Sequence, residues 1–309
     1  MKRICWACLA LVLCLTGCAH EVSTQYFMMD TVMSFTIDGE QAKPAEHAVV
    51  EEIARLEQIF SPTREDSELT LVNKGKIKTQ SATFDEVLQV SRAAKGKTGG
   101  AFDPYLGALI TLWGKGKVPD AKTIQRAPRN RLNFGGVVKG YASERVREIL
   151  DTYQIPRAVI SLGGNVYVRG THEDGAPWVV GVRDPDGGSA DTIGVIRASD
   201  QFLIASGDYE RFFEQDGVRY HHILDTKTGA PAQTDLREVV IVNRDGTWGD
   251  IYSTALFVMG SEKALDFWRK SNDFEAILVK KDHTVLVTAG LRDAFTLTDS
   301  GYTMQVVER

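Results

Sequence analysis

An α+β fold is what this sequence predicts, on three observations. Apolar runs of strand length and segments of helical periodicity both recur along the 309 residues, but without the strict alternation of a doubly wound sheet. Four turns of small residues, Gly99-Gly100, Gly135-Gly136, Gly163-Gly164 and Ser206-Gly207, each sit beside a polar group. The four cysteines, Cys5, Cys8, Cys14 and Cys18, all lie at the N-terminus, so the body is held by a packed core without disulfides, a cysteine nucleophile or a thiolate metal site.

Taken in order, residues 18–25 read as a short polar tether, and 26–309 as one folded domain. Tyr26 to Ile37 reads as a strand with Thr31, Met33, Phe35 and Ile37 on one face. Pro44 suits a first helical turn, and Val49, Ile53, Leu56 and Phe60 place an amphipathic helix over 45–60, stopped by Ser61-Pro62. A turn-rich segment carries Ser67-Glu68-Leu69 and Asn73, and a helix follows over about 82–95. Lys97 to Pro104 is a glycine-rich loop in which Pro104 holds Asp103 extended. Leu106 to Trp113 reads as helical or buried, and 114–130 as a surface loop.

Leu132 to Phe134 reads as an apolar strand entering Gly135-Gly136; Val137-Val138, Lys139 and a helix carrying Ala142, Val146, Ile149, Leu150 and Tyr153 follow. Strands are expected at 158–162, 166–168, 178–182, 202–205, 218–224 and 239–242, with a hairpin turn over 225–229. Asp250 to Met259 reads as a helix opened by Asp250, then a helix over 261–270 and strands at 276–280, 284–288 and 303–307.

Lys2-Arg3, an apolar run from Ile4 to Leu15 and Leu15-Thr16-Gly17-Cys18 look like a bacterial lipoprotein signal over 1–17, with Cys18 the lipid-bearing residue. The run is too short to span a bilayer as a helix. The expectation is an exported protein anchored to a membrane by lipid. The formal charge is -5, and no polybasic run occurs, which argues against a nucleic-acid partner.

The chemistry-bearing residues are few. Glycine turns can line a site with backbone donors for an anion, and Lys139 between them adds a positive charge. The spacing matches neither a Walker A loop nor a dinucleotide fingerprint. Asp250 and Thr254, four apart, either cap a helix or hold a hard cation such as Mg²⁺. His222 is either a general base or a hydrogen-bonded core histidine. No H-E-x-x-H and no G-x-S-x-G occur.

In series, these motifs resemble the ApbE family, the FAD:protein FMN transferases, over nearly all of 26–309. The resemblance is carried by Met29-Asp30-Thr31, Ser67-Glu68-Leu69 with Asn73, Gly99 to Pro104 and Phe134 to Tyr141. Gly163-Gly164-Asn165, Ser206 to Tyr209, His222 to Asp225 with Thr228-Gly229, and Asp250 to Ala255 complete it. It implies mixed sheets with flanking helices around a central FAD cleft. It also implies a Mg²⁺-dependent enzyme that moves FMN from FAD onto a Ser or Thr hydroxyl of an exported or membrane flavoprotein and releases AMP. The acceptors it implies are respiratory pump subunits or exported reductases. By position, Met29, Ala101, Phe102, Asp103, Asn133, Lys139 and Ile223 would contact FAD. Gly136, through its carbonyl, Asp250 and Thr254 would hold the metal, and His222 would be the base. Asp30 stands where the family often has Gly, and Asn133 where it commonly has Asp. Two other readings use the same residues: a Mg²⁺-dependent FAD pyrophosphatase, with water in place of the hydroxyl, and an exported FAD-binding protein without catalysis.

Overall fold

The computed structural model describes residues 20–188 and 190–309, so the expected signal segment and Cys18 lie outside the described residues. The chain opens with a hairpin, β1 (Glu21–Met28) and β2 (Thr31–Asp38), paired in register from Glu21↔Asp38 to Met28↔Thr31. Two readings change here. The supposed tether from Glu21 to Gln25 is strand, and the single strand 26–37 is broken by a two-residue turn. Met29 and Asp30 both have positive φ, 49° and 59°, the left-handed pair that a tight hairpin requires. Asp tolerates that region, which is how this chain does without glycine at position 30. Thr24 and Tyr26 donate to the buried carboxylate of Glu46, tying the first strand to the next helix.

That helix, α1 (Ala42–Phe60), is followed by α2 (Glu68–Asn73), α3 (Ala82–Lys97), α4 (Gly107–Trp113) and α5 (Ala121–Arg126). The α2 and α5 segments were expected to be turn and loop. Both are six residues long, too short to show a helical period, and both start at a side-chain cap, Ser67 and Asp120. Then come α6 (Val138–Thr152), β3 (Arg157–Ser161), β4 (Asn165–Arg169), β5 (Trp178–Arg183), β6 (Thr192–Ala198), β7 (Gln201–Gly207), β8 (Phe212–Gln215) and β9 (Val218–His221). The chain ends with β10 (Leu236–Asn243), α7 (Gly246–Met259), α8 (Ser261–Arg269), β11 (Phe274–Lys280), β12 (Thr284–Thr288), β13 (Phe295–Leu297) and β14 (Thr303–Val307).

Nine strands form one sheet in the order β1-β2-β3-β4-β7-β10-β11-β12-β14, antiparallel except for the β12–β14 pair. A three-stranded sheet, β13-β6-β5, covers one face. The helices α1, α6, α7 and α8 cover the other. Period-two alternation sorts the central strands between two cores. Phe202, Ile204, Val239 and Ile241 face the helices, while Leu203, Val240 and Val242 face the small sheet. Strands buried on both faces read as continuous apolar runs, which is why 202–205 and 239–242 were legible.

Several expectations fail for local reasons. Leu132 to Phe134 is not a strand; only Arg131 makes a bridge, to Leu106. The Leu132 backbone is satisfied instead by the Asn73 amide, whose Nδ2 donates to Leu132 O and whose Oδ1 accepts from Leu132 N, both at 2.8 Å, and Asn133 N donates to Pro104 O. The strand at 218–224 stops at His221. Asp250 does not open its helix. Asp245 caps α7, accepting from Trp248 N at 2.9 Å, so Asp250 lies a full turn inside.

Candidate active site

The cleft lies at the helical side of the large sheet, where the β1–β2 turn, the glycine loop 99–103, the 132–139 segment, the 205–211 segment and α7 converge. It contains about 1490 Å³ of space, counted out to its open mouth. Phe60 and Phe134 form its aromatic base, backed by the buried Phe84, and Phe134 meets the other two rings edge-on at 5.5 and 5.4 Å. Burying such rings contributes ~2–3 kcal/mol each, and this fixes the 132–139 segment above them.

Every described residue expected at the site lines this cleft. Met29 enters from the hairpin turn and Ile223 from the segment after β9. Ala101, Phe102 and Asp103 come from the glycine loop, which turns through positive φ at Gly99 (60°) and Gly100 (82°). Thr98 Oγ1 accepts from Phe102 N, and Thr226 Oγ1 donates to Gly100 O at 2.6 Å, so both sides of the loop are held. Asp103 accepts from Tyr105 N and pairs with Lys95 at 2.8 Å. Asn133 Oδ1 accepts from Gly135 N at 2.8 Å. An amide oxygen meets that need as well as a carboxylate, so the Asn in place of the family's common Asp keeps the turn.

At one end Lys139, Asp250, Thr254 and Gly136 come together. Lys139 sits in the first turn of α6, not ahead of it, and donates to Gly163 O at 2.9 Å. Gly140 N donates to Asp250 Oδ2 at 2.8 Å. The helices can approach this closely because Gly140 faces Gly246: a Cβ at 140 would stand 2.6 Å from Asp250 Cβ and closer still to Gly246 O. Asp250 is buried, and burial raises its pKa, opposed by the Lys139 charge and the Gly140 N–H. A Cβ at Gly136 would stand 2.9 Å from Thr254 Oγ1 and 3.3 Å from the Phe102 ring, so only glycine leaves that corner open.

The two adjacent histidines separate cleanly. His221 is buried; its Nε2 donates to Ala232 O at 3.0 Å and its Nδ1 accepts from Ile223 N. It is the satisfied core histidine. His222 lines the cleft and its side chain is exposed to it. Desolvation by the surrounding cleft walls, with the charges of Arg211 and Lys139 and the neighbouring His221, pulls its pKa down to about 4. It is therefore neutral at physiological pH.

Sequence reasoning missed Glu210 and Arg211, which also line the cleft. They follow the Ser206 to Tyr209 motif directly, and Arg211 O accepts from His222 N at 3.0 Å. A charged pair right after a small-residue turn was the available signal. Among the described residues, no three His, Cys, Asp or Glu side chains gather as a metal cage.

The ApbE family sequence model matches residues 29–278. The chain belongs to the ApbE family. An FAD:protein FMN transferase from Klebsiella pneumoniae (strain 342) is 32% identical over 285 residues, covering 83% of this chain and 88% of that protein. One from Treponema pallidum (strain Nichols) is 30% identical, covering 93% and 92%. The crystal structure of the ApbE protein from Thermotoga maritima superposes with a TM-score of 0.79 at 30% identity, covering 89% of this chain and 99% of that one. The mixed sheets and flanking helices are thus the ApbE architecture, and the cleft described above lies wholly inside the matched residues.

Proposed function

We propose that the protein is an FAD:protein FMN transferase that uses Mg²⁺ and places FMN on a Ser or Thr hydroxyl of an exported or membrane flavoprotein. The observation that carries this is the convergence of Lys139, Asp250, Thr254 and His222 in one cleft. In the reaction the acceptor oxygen bonds to the FMN phosphorus and the phosphoanhydride bond to AMP breaks. The proton leaves the hydroxyl, and AMP departs with the bridging oxygen.

The residues fit a magnesium ion. Gly136 keeps open a corner that a Cβ would fill, and the donors beside it are hard oxygens: one carboxylate, one hydroxyl and a backbone carbonyl. One or two carboxylates plus substrate phosphates is the usual Mg²⁺ arrangement. When bound, the ion neutralises pyrophosphate charge. The remaining roles belong to the chain. Lys139 adds a fixed cation where charge develops. His222, neutral, can take the hydroxyl proton. Met29, Phe102 and Ile223 supply apolar surface for the flavin nucleotide, and the turns at Asp103 and Asn133 hold the cleft wall.

The test is incubation of purified protein with FAD, Mg²⁺ and an unmodified exported flavoprotein domain. A fluorescent adduct that survives denaturation is expected. AMP and free FMN without adduct would make the protein an FAD pyrophosphatase, and tight FAD binding with neither product a carrier. We propose also that Cys18 is lipidated, which anchors the enzyme to the outer side of a membrane, as the L-x-G-C pattern supports. Labelled palmitate entering the wild type but not Cys18→Ser tests it.

A further inference from the structure

A second cleft opens behind the first, between the small sheet and the outer face of the large one. Val180 and Val182 of β5 form one wall, and Val166, Leu203 and Val240 the other. The two clefts share Asp30, Lys139, Ala205, Glu210 and Arg211, so they meet where the reacting phosphate is expected. Lys139 is held at this junction by Gly163 O, and Arg211 reaches Asp30 O.

The floor of the second cleft is polar. The Tyr209 hydroxyl donates to Glu238 Oε1, and the Arg183 guanidinium lies 4.6 Å over the Tyr209 ring. Two buried atoms there, Arg183 Nε and Glu238 Oε2, have no hydrogen-bond partner in the protein. Glu238 is 1% exposed, and burial pushes its carboxyl up to about 8, so it is protonated at neutral pH. With Oε1 accepting from Tyr209, the proton sits on Oε2. The floor therefore offers two unpaired donors, and a ligand with acceptor oxygens relieves the desolvation cost that each carries. At the rim the hairpin exposes two cross-strand apolar neighbours, Phe27 (73%) and Val32 (59%), and Val32 lines the cleft.

We propose that this second cleft binds the acceptor polypeptide, as an extended segment that crosses the β1–β2 hairpin and sets its carbonyl oxygens on Arg183 and Glu238. This rests on the transferase reading. A segment lying there would present its Ser or Thr at the shared wall, beside Lys139 and opposite His222. The aliphatic walls suit a peptide better than a nucleotide base, because the single aromatic face at the floor, Tyr209, is already covered by Arg183. The exposed Phe27 and Val32 extend the apolar surface outward, as a protein partner needs and a small molecule does not.

The experiment compares the mature wild type with Val180→Trp, which fills the slot, and Val32→Glu, which alters an exposed rim residue and leaves the core intact. FAD, Mg²⁺ and an unmodified exported flavoprotein domain are supplied, and adduct formation and AMP release without acceptor are followed separately. The acceptor KM is expected to rise about tenfold or more in both variants, the scale of a lost interface anchor. The FAD KM and acceptor-free AMP release stay at wild-type values. An unchanged acceptor KM in both variants overturns the assignment. A raised FAD KM also overturns it, because the cleft then holds the AMP half of FAD. If the wild type releases AMP yet never forms adduct, the transferase reading itself falls, and the acceptor cleft with it.

Discussion

Gly140→Ala sets two physical effects against each other at the point where α6 crosses α7. Alanine in a helix interior is better than glycine by ~0.5–1 kcal/mol, so a loose crossing would be stabilised. Here the new methyl would lie 2.6 Å from Asp250 Cβ, with the Gly246 carbonyl oxygen nearer still. Neither neighbour is the end of a flexible chain, so the helices must separate, at an overpacking cost of ~1–3 kcal/mol. The net expectation is a loss of ~0.5–2 kcal/mol. For a folded body of about 290 residues, the unfolding entropy is ~0.6 kcal/mol/K, so Tm should fall by ~1–3 °C. The movement also pulls Gly140 N away from Asp250 Oδ2. Displacing a reacting group by ~1 Å costs ~100-fold in rate, so adduct formation should fall far more steeply than stability. Differential scanning calorimetry and the fluorescent-adduct assay measure the two. A rise in Tm with wild-type turnover would refute the close crossing and the positioning role of Gly140 together.

Gly136→Ala should behave differently: its methyl would meet Thr254 Oγ1 at 2.9 Å inside the cleft, so Mg²⁺-dependent turnover is lost while calorimetry shows a near-native transition. Asp250→Asn should keep the fold and lose the stabilisation by added Mg²⁺, which for the wild type at 100-fold over Kd is ~2.7 kcal/mol and is read as a shift in Tm. His222 has its pKa lowered to about 4, so NMR titration should show no protonation near 6.5; because only the unfolded chain takes up that proton, stability is lost as pH falls below 6.5 toward 4. Glu238 has the opposite sign: the folded carboxyl holds its proton up to about 8 against 4.5 unfolded, so its contribution is greatest below 4.5 and declines as pH rises toward 8, by up to ~1.4 kcal/mol per pH unit. Glu238→Gln should flatten that slope in denaturant titrations, and a slope unchanged from wild type would mean that the carboxyl is ionised when folded.

Much of this was legible in the residues, and the failures share causes. The helix of α1 and the strands β7 and β10 carry long periodic or apolar patterns, and both kinds were read correctly. The short strands β6, β8 and β13 went unread: Thr192 to Ala198 is interrupted by Gly194 and Arg197, and β8 and β13 are only four and three residues long. The residues expected at the site come from the motif series and line one cleft, because the glycine turns leave a mark that survives without knowledge of packing. What sequence could not carry was the division of labour between like residues. His221 and His222 are adjacent, yet one is buried against Ala232 and the other faces the cleft. Asp250 looked like a cap because nothing local reveals that Asp245, five residues earlier, takes that role. Leu132 to Phe134 looked like a strand because the partner of Leu132 is a side chain, Asn73, 59 residues away.

The double-sided burial of β7 and β10 has a mechanical consequence. Leu203 packs beneath the small sheet while its neighbours Phe202 and Ile204 pack toward the helices, on one rigid strand. Neither core can loosen alone without tilting the strands that the other needs. The catalytic half therefore cannot be cut free as a smaller enzyme, and unfolding should register as one cooperative event. A defect introduced behind the large sheet, far from any reacting atom, would be felt at the cleft mouth as a change in alignment.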